Sequence, residues 1–466
     1  MTLLEHVRFT FTLRFRTDAH IGSGETRRLS ELRPSPARRT NAEDTDPEVA
    51  VLVRDHAGLP TVPGTALKGA LRKAAEPGCS DEDVARLFGK IGFEDSDAAE
   101  DEAETEDDPS SWTKGIMGRF SVYAAEWQDD EGSHDDLPLW CPDQKSWIAT
   151  HVAIARETGA ADPKKLYTVE MLPAGTWFRV DGVWFGTEME ARAGLQTLLA
   201  PLASADGLAL GAGHRLGGGT AHLGNDNVVT LTEVTRFDPE TGAVATATPE
   251  PLKIAPPTAH ALAAKLSLAC EGPFLSVDSA PRRDGDNRAN VIHALRRNDQ
   301  TPVLHMETVA GALRQRAAWL AAVHGLGDDD RFRKPKTWTT PDDLSPVERL
   351  FGVTGWRGLL RLVPPAGIAG TRSPELVSIA IDRFTGAVLD GTVFEHEVFT
   401  DVSLTIGLVW DARLDADSAS PVTDDDRRLL DLLLDDLDGD TLPLGHATNR
   451  GFGWFTVTVA RSGGPA

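Results

Sequence analysis

Cysteine is nearly absent from this sequence. The three cysteines in 466 residues, Cys79, Cys141 and Cys270, stand far apart and are odd in number. That excludes a disulfide framework or a Cys-rich zinc site and points to a reducing cytoplasm. Long apolar runs are missing too. None approaches the roughly 18 residues needed to cross a bilayer, so no membrane contact is expected. Met1 to His6 carries no apolar signal-peptide core. Positive charge is in deficit: 47 Lys and Arg face 71 Asp and Glu, a net charge of −24. Such a balance argues against indiscriminate nucleic-acid binding. The deficit is uneven, because Glu94 to Asp108 holds ten acidic residues in fifteen positions and no basic one. This stretch, about residues 94–110, reads as a solvated, disordered insertion.

What is present is enough for a core, with 41% hydrophobic residues and a length suited to about three domains. The run Leu59-Pro60-Thr61-Val62-Pro63-Gly64-Thr65-Ala66-Leu67-Lys68-Gly69-Ala70-Leu71-Arg72 reads as a short strand, a Pro-Gly turn and a helix capped by Thr65. Leu67 and Leu71 fall on one helical face, and Lys68 and Arg72 on another. A helix start beside a Lys and an Arg suits a phosphate. An ordinary amphipathic helix has the same pattern.

The landmarks around this run recur in the same order further along the chain. Val7, Phe9, Phe11, Leu13 and Phe15 alternate with polar residues and predict a half-buried strand, and Leu266, Leu268 and Cys270 alternate likewise. Each strand is followed by a basic loop: Arg27, Arg28, Arg33, Arg38 and Arg39 in one case, Arg282, Arg283 and Arg288 in the other. Gly69-Ala70-Leu71-Arg72 returns as Gly311-Ala312-Leu313-Arg314, and Leu87-Phe88-Gly89 as Leu350-Phe351-Gly352. The hairpin around Arg156-Glu157-Thr158-Gly159 returns around Arg383-Phe384-Thr385-Gly386, with Glu397 in the place of Glu170. Leu195, Leu198, Leu199 and Leu202 form a helix face, as do Leu430, Leu433, Leu434 and Leu437. A glycine loop, Gly217-Gly218-Gly219 and later Gly451 and Gly453, precedes a last strand each time. The copies are too long for a solenoid unit. The chain therefore reads as a duplicated α+β domain, residues 1–236 and 259–466, joined by a Pro- and Thr-rich linker at 237–258.

The Pro63-Gly64-Thr65-x-Leu67-Lys68-Gly69-x-Leu71-Arg72 motif, the Arg383-Phe384-Thr385-Gly386-Ala387 hairpin and the C-terminal glycine loops resemble the RAMP superfamily. These proteins are RNA-binding backbone subunits of type III CRISPR effector complexes, and two fused copies look type III-D-like. The resemblance implies a modified RNA-recognition-motif (ferredoxin-like) palm in each half. It also implies a β-hairpin thumb in each, at Val152 to Met171 and at Ile379 to Val398. The implied partners are guide crRNA, target RNA and other effector subunits. His305-Met306-Glu307 stands where Pro-Gly is expected in the second half, and Ala310 where Lys68 stands, leaving Arg314 as that helix's contact.

The candidate RNA-binding set follows. Lys68, Arg72 and Thr65 are either guide-phosphate contacts or a solvated face. Arg27, Arg28, Arg38, Arg39, Arg282, Arg283 and Arg288 recur in one topological place in an acidic chain, which favours RNA phosphates over a merely solvated loop. Arg156, Arg383, Arg215, Arg314, Arg450 and His20 complete the basic set. Gly217, Gly218, Gly219, Gly451 and Gly453 either let RNA approach the backbone or make a flexible connection. Target-cleaving members of the family use a loop aspartate with a divalent ion, so the resemblance offers Asp286, Asp44, Asp46 and Asp284 with Mg or Mn, Asp286 first. A solvated loop is the alternative for each. The resemblance thus implies a guide scaffold, with or without endoribonuclease activity. A stand-alone processing nuclease for CRISPR transcripts would want an acid–base pair, and the sequence shows no suitable histidine pair, catalytic triad or metal-ligand spacing.

Overall fold

Alternation builds the first strand as the sequence predicts: in β1 (Leu4–Phe15), Val7, Phe9, Phe11, Leu13 and Phe15 are buried while Arg8 and Arg14 are exposed. The computed structural model describes residues 4–33, 46–76, 79–90, 116–128, 134–135, 137–154, 161–238, 240–257, 262–277, 291–297, 299–326, 343–353, 355–410 and 422–461. The acidic segment 94–110 lies outside the described residues, as do Arg38, Arg39, Asp44, Arg156, Arg282, Arg283, Asp284, Asp286 and Arg288.

After β1 the first half runs through β2 (Gly22–Arg28), β3 (Glu48–Leu52), α1 (Gly64–Ala75), α2 (Asp81–Phe88) and β4 (Phe120–Val122). It continues with β5 (Trp147–Ile154), β6 (Ala161–Met171), β7 (Trp177–Phe185), α3 (Glu188–Ala203), β8 (Thr220–Leu223) and β9 (Val228–Phe237). The second half runs through β10 (Ala264–Cys270), α4 (Met306–Val323), α5 (Pro346–Phe351), β11 (Leu360–Val363), β12 (Ala369–Ile381), β13 (Val388–Trp410), α6 (Asp424–Leu437) and β14 (Trp454–Arg461).

Each half builds an antiparallel palm in the same spatial order. In the first it is β8-β1-β7-β4, and in the second β14-β10-β13-β11. Numbered along the chain, that is fourth, first, third, second, with the motif helix and a shorter helix after the first strand and one helix after the third. This is the ferredoxin-like arrangement. The leucine faces of α3 and α6 are buried as expected, and each helix starts with a capping box, Thr187 with Glu190 and Thr423 with Asp426. The fully buried Asp426 carboxylate accepts from Arg349 at 2.9 Å, which ties α6 to α5.

Each palm also carries a hairpin. In the first half β5 and β6 form it, and β6 pairs in parallel with β3 to make a separate small sheet that includes β2. In the second half β12 and β13 form it, and β13, 23 residues long, is at once a hairpin arm and the third palm strand.

Two expectations are corrected. Thr65 is exposed and makes no capping bond; Pro63 holds the N-cap position, two residues earlier, and α1 starts at Gly64. Gly64 is required for a different reason than turn flexibility, because a Cβ there would lie 2.3 Å from the Val122 carbonyl oxygen of β4. The segment read as a linker is part of the first half. Val244–Ala247 and Leu252–Lys253 pair with β9, Ile254 is buried, and Gln196 of α3 exchanges two hydrogen bonds with Ala255. A turn at Asp238 to Gly242, held by bonds from Glu240 and Thr241 to the Asp238 carboxylate, folds this polar segment back onto the sheet.

The crowding at Gly64 is testable against its neighbour. Gly64→Ala should cost about 1–3 kcal/mol through the clash with β4. Gly69→Ala, whose Cβ would meet open space, should stabilise by up to about 1 kcal/mol through helix propensity. Thermal denaturation of the two variants beside the parent measures the difference.

Candidate nucleic-acid interface

The element that sets the site is a buried carboxylate at the base of each hairpin. Glu170 of β6 is fully buried. Its Oε1 accepts from Arg54 at 2.6 Å and from the Ser146 hydroxyl at 2.5 Å, and its Oε2 from the Leu52 amide at 3.0 Å. Arg33 lies 3.9 Å away and also donates to the Leu139 and Ser146 carbonyls. Glu397 of β13 repeats this arrangement. Its Oε1 accepts from Arg372 at 3.0 Å, and its Oε2 from Arg296 and the Ala294 amide, both at 3.3 Å. Each carboxylate thus joins a hairpin to the short segment that leads into the motif helix, α1 or α4. The sequence offered Glu170 and Glu397 only as matching landmarks. Arg54 and Arg296, which answer them, were missed, although both stand six residues before a proline that precedes the motif helix.

Around this anchor the first half gathers several of the predicted basic residues. Leu67 and Leu71 bury one face of α1, which turns Lys68 and Arg72 outward. Partial burial, and then the Arg72 charge, lower the Lys68 pKa from its ordinary value. Arg72 is exposed and lies 3.6 Å from Glu76 one turn on. Arg27 and Arg28 are exposed at the end of β2, Arg27 at 3.9 Å from Glu25. A cavity of about 440 Å³ opens between Arg27, Arg54, Gln144 and the apolar Leu32 and Val51. His20 is committed to structure, with Nδ1 2.8 Å from the Glu170 carbonyl oxygen.

The second half spreads its set differently. Arg383 sits at the hairpin tip, where the Asp382 carboxylate accepts from the Phe384 and Thr385 amides and holds Phe384 outward, 96% exposed. Arg450 is exposed beside the glycine loop. Arg314 faces inward and donates to the Gly352 carbonyl at 2.5 Å, so the second motif helix uses it to hold the Leu-Phe-Gly turn.

The glycine loops are tight for the sake of their own chain. A Cβ at Gly219 would lie 1.9 Å from the Leu210 carbonyl oxygen, and one at Gly453 1.9 Å from that of Leu444. A Cβ at Gly217 would lie 2.7 Å from Pro364 Cδ, and Arg215 donates to the Leu360 carbonyl, so both serve the contact between halves. A Cβ at Gly218 would lie 3.3 Å from the Gly213 carbonyl oxygen, and Gly451 alone of the five faces open space. Of the four aspartates, Asp46 is described, and its carboxylate accepts from the Ser30 amide and hydroxyl. That ties the loop to the segment after β2. No group of three potential metal ligands occurs among the described residues.

The halves meet through a second charged contact that the sequence did not signal. Asp18, in the loop after β1, accepts from Arg297 at 2.7 and 3.2 Å. Beside it the His151 ring of β5 lies between Tyr167 at 5.0 Å and His305 at 5.2 Å, with Glu307 of α4 adjacent. The two histidines are distant in sequence, so their pairing is a product of the junction. The Glu307 carboxylate there would repel a phosphate, which makes the pair a packing contact. Burial pushes the Asp18 carboxyl up, but the Arg297 charge and hydrogen bond outweigh it and the pKa falls below 3.8. Burial, then the His305 charge, lower the His151 pKa below 6.5 against the opposing pull of Glu307.

A family model described as the RAMP superfamily matches residues 12–222 and again residues 241–456. No curated protein matches the chain.

The junction predicts a pH dependence. A histidine with a lowered folded-state pKa and a carboxylate with a lowered one both bind protons more readily once unfolded. The His151 contribution is therefore full above pH 6.5 and is lost as pH falls through its depressed value. The Asp18 contribution is full above pH 3.8 and is lost below it. Urea midpoints measured between pH 8 and pH 5 should decline, and His151→Phe should flatten that decline.

Proposed function

The chain belongs to the RAMP superfamily, and on that premise we propose that it is a backbone subunit of a type III CRISPR effector that holds guide crRNA and displays target RNA. The observation that carries this reading is the setting of two RAMP units in one chain. Each has a hairpin fixed by a buried glutamate to the segment that enters its motif helix. Repeated units in register suit a long, regular ligand, and a guide strand offers phosphates at regular intervals. Lys68, Arg72, Arg27, Arg28, Arg383 and Arg450 are the described cations available to such a strand. They position the RNA backbone and leave the reading of sequence to base pairing. Local clusters of this kind work in a chain of net charge −24 because screening confines each charge to its neighbourhood. Other effector subunits would complete the assembly.

Cleavage of the bound target by Asp286, Asp44 or Asp284 with Mg or Mn belongs to the same reading as a separate claim. The loop with Asp284 and Asp286 leaves the described chain after Val277 and returns at Val291, where Val277 bridges to Ala294 beside the Glu397 anchor. Asp46, which accepts from Ser30, belongs to the same set. The assembled complex should retain RNA in Asp286→Ala and Asp44→Ala. Metal-dependent cutting that persists when Asp286, Asp284, Asp44 and Asp46 are exchanged for Ala in all combinations would remove these aspartates from the reaction and leave the scaffold.

The deciding experiment is to purify the protein from its native host and sequence the RNA that accompanies it. Discrete short RNAs sharing a CRISPR-repeat-derived end are expected; no RNA, or a random spread, would overturn the proposal. Lys68→Ala with Arg72→Ala should weaken RNA binding about uniformly across sequences. The salt slope should fall by about 1 for each phosphate that the variant no longer neutralises. Filter binding over a salt series reads both.

A further inference from the structure

Resting on the reading of the chain as an RNA-binding subunit, we propose that the cavity beside β2 and β3 of the first half is a pocket for the base of one unpaired RNA nucleotide, and that it selects guanine. The scaffold reading leaves base identity to pairing; this pocket reads a single base directly.

The pocket comes from the strand pairing. Gly22 of β2 faces Leu52 of β3 and Thr26 faces Ala50, so Ser23, Gly24 and Glu25 stand opposite Val51 alone. Three residues against one make a bulge, which bends β2 and interrupts the ladder. Gly24 adopts a φ of +84° there, a conformation that side chains disfavour. The Ser23 hydroxyl holds the bulge, donating to the Val51 carbonyl at 3.3 Å and accepting from the Glu25 amide at 3.2 Å. The cavity of about 440 Å³ opens against this bulge, and its size falls in the range of small-ligand sites.

Its lining offers the two kinds of surface that a base needs. Leu32 and Val51, both buried, give an apolar floor for the ring face. Around them stand polar groups with capacity to spare. The Gln144 side-chain oxygen accepts from Arg33, which orients the carboxamide and leaves its amide nitrogen as a donor. Arg54 is committed to the Gly58 and Gln144 carbonyls and to Glu170, so Arg54 and Glu170 form a wall and do not bind the ligand. The Glu25 side chain is 68% exposed, and the Arg27 guanidinium lies 3.9 Å from it, beyond hydrogen-bond distance. Glu25 therefore keeps its acceptor capacity, and Arg27 keeps donors for a phosphate. A carboxylate repels phosphate, so the group that approaches Glu25 is a base, with its phosphate left to Arg27.

These groups discriminate between bases. The Watson–Crick edge of guanine has two neighbouring donors, N1–H and N2–H, beside an acceptor, O6. One carboxylate accepts both donors side by side, and the Gln144 amide serves O6. Adenine, cytosine and uracil each offer one donor on that edge with an acceptor next to it, which a carboxylate repels. A base presents this edge only when it is unpaired and out of the stack.

The test uses the full-length chain cleared of RNA by nuclease and high salt. Calorimetric titration with the four ribonucleoside 5′-monophosphates reads the pocket alone. Guanosine monophosphate should bind roughly ten-fold tighter than the other three; equal binding of all four, or binding of none, would overturn the proposal. Glu25→Gln, confirmed to melt as the parent does, should reduce that advantage to less than about two-fold. A guanine preference that survives the substitution unchanged also overturns it. Uridine tracts carrying a single G, A or C, measured by filter binding, separate this proposal from the scaffold reading. The tract with G should bind tightest. Tracts that all bind alike remove the guanine pocket and leave the scaffold standing. Selective binding of guanosine monophosphate with no binding of any tract would sink the scaffold reading and leave the guanine site.

Discussion

A carboxylate buried among backbone and arginine groups is the interaction the rest of the molecule depends on. Taking a carboxylate out of water without partners costs several kcal/mol, roughly. Glu170 and Glu397 therefore hold their place only while an arginine, a backbone amide and further donors surround them. Each partner comes from a different part of its half: the hairpin, the end of a strand, and the segment that enters the motif helix. Satisfying one charge fixes the relative placement of all three. Neutral packing could hold the same elements together, but it would leave the angle of the hairpin to slide.

The same logic explains why the two halves keep their glycines while their surfaces diverge. Gly219 and Gly453 both pass 1.9 Å from a carbonyl where a Cβ would sit, and Gly89 and Gly352 both adopt positive φ at the end of the second helix. Backbone crowding tolerates no side chain, whatever the protein binds. Side chains that face outward have no such constraint. Asp55 and Arg297 occupy one backbone position and differ in sign, and Ala310 stands in the second half where the first has Lys68. Equivalent frames have thus acquired different surfaces.

Family membership and geometry together separate cations by use. Arg215, Arg296, Arg297 and Arg314 are bound to carbonyls or carboxylates within the protein. Arg28, Arg383 and Arg450 are exposed. In an acidic chain the first group makes the fold and the second is what a polyanion can reach.

The sequence by itself determined the elements and their duplication. Alternation in β1, the leucine spacing in α3 and α6, and the recurrence of Gly-Ala-Leu-Arg and Leu-Phe-Gly are local patterns, and local periodicity is enough to specify strand, helix and repeat. It also showed that basic residues follow the first strand of each half, although Arg27 and Arg28 proved to end a strand and not to lie in a loop. Only the tertiary structure decided which of those residues are available. Thr65 does not cap α1 because Gly64 packs against β4 one residue earlier. The 237–258 segment became sheet because a turn at Asp238 brought it back to β9. Arg314 and Arg215 turned inward because carbonyls distant in sequence lay within reach. Asp18 with Arg297, and His151 with His305, are set by how two folded halves come together, and no spacing along one chain encodes a distance between surfaces.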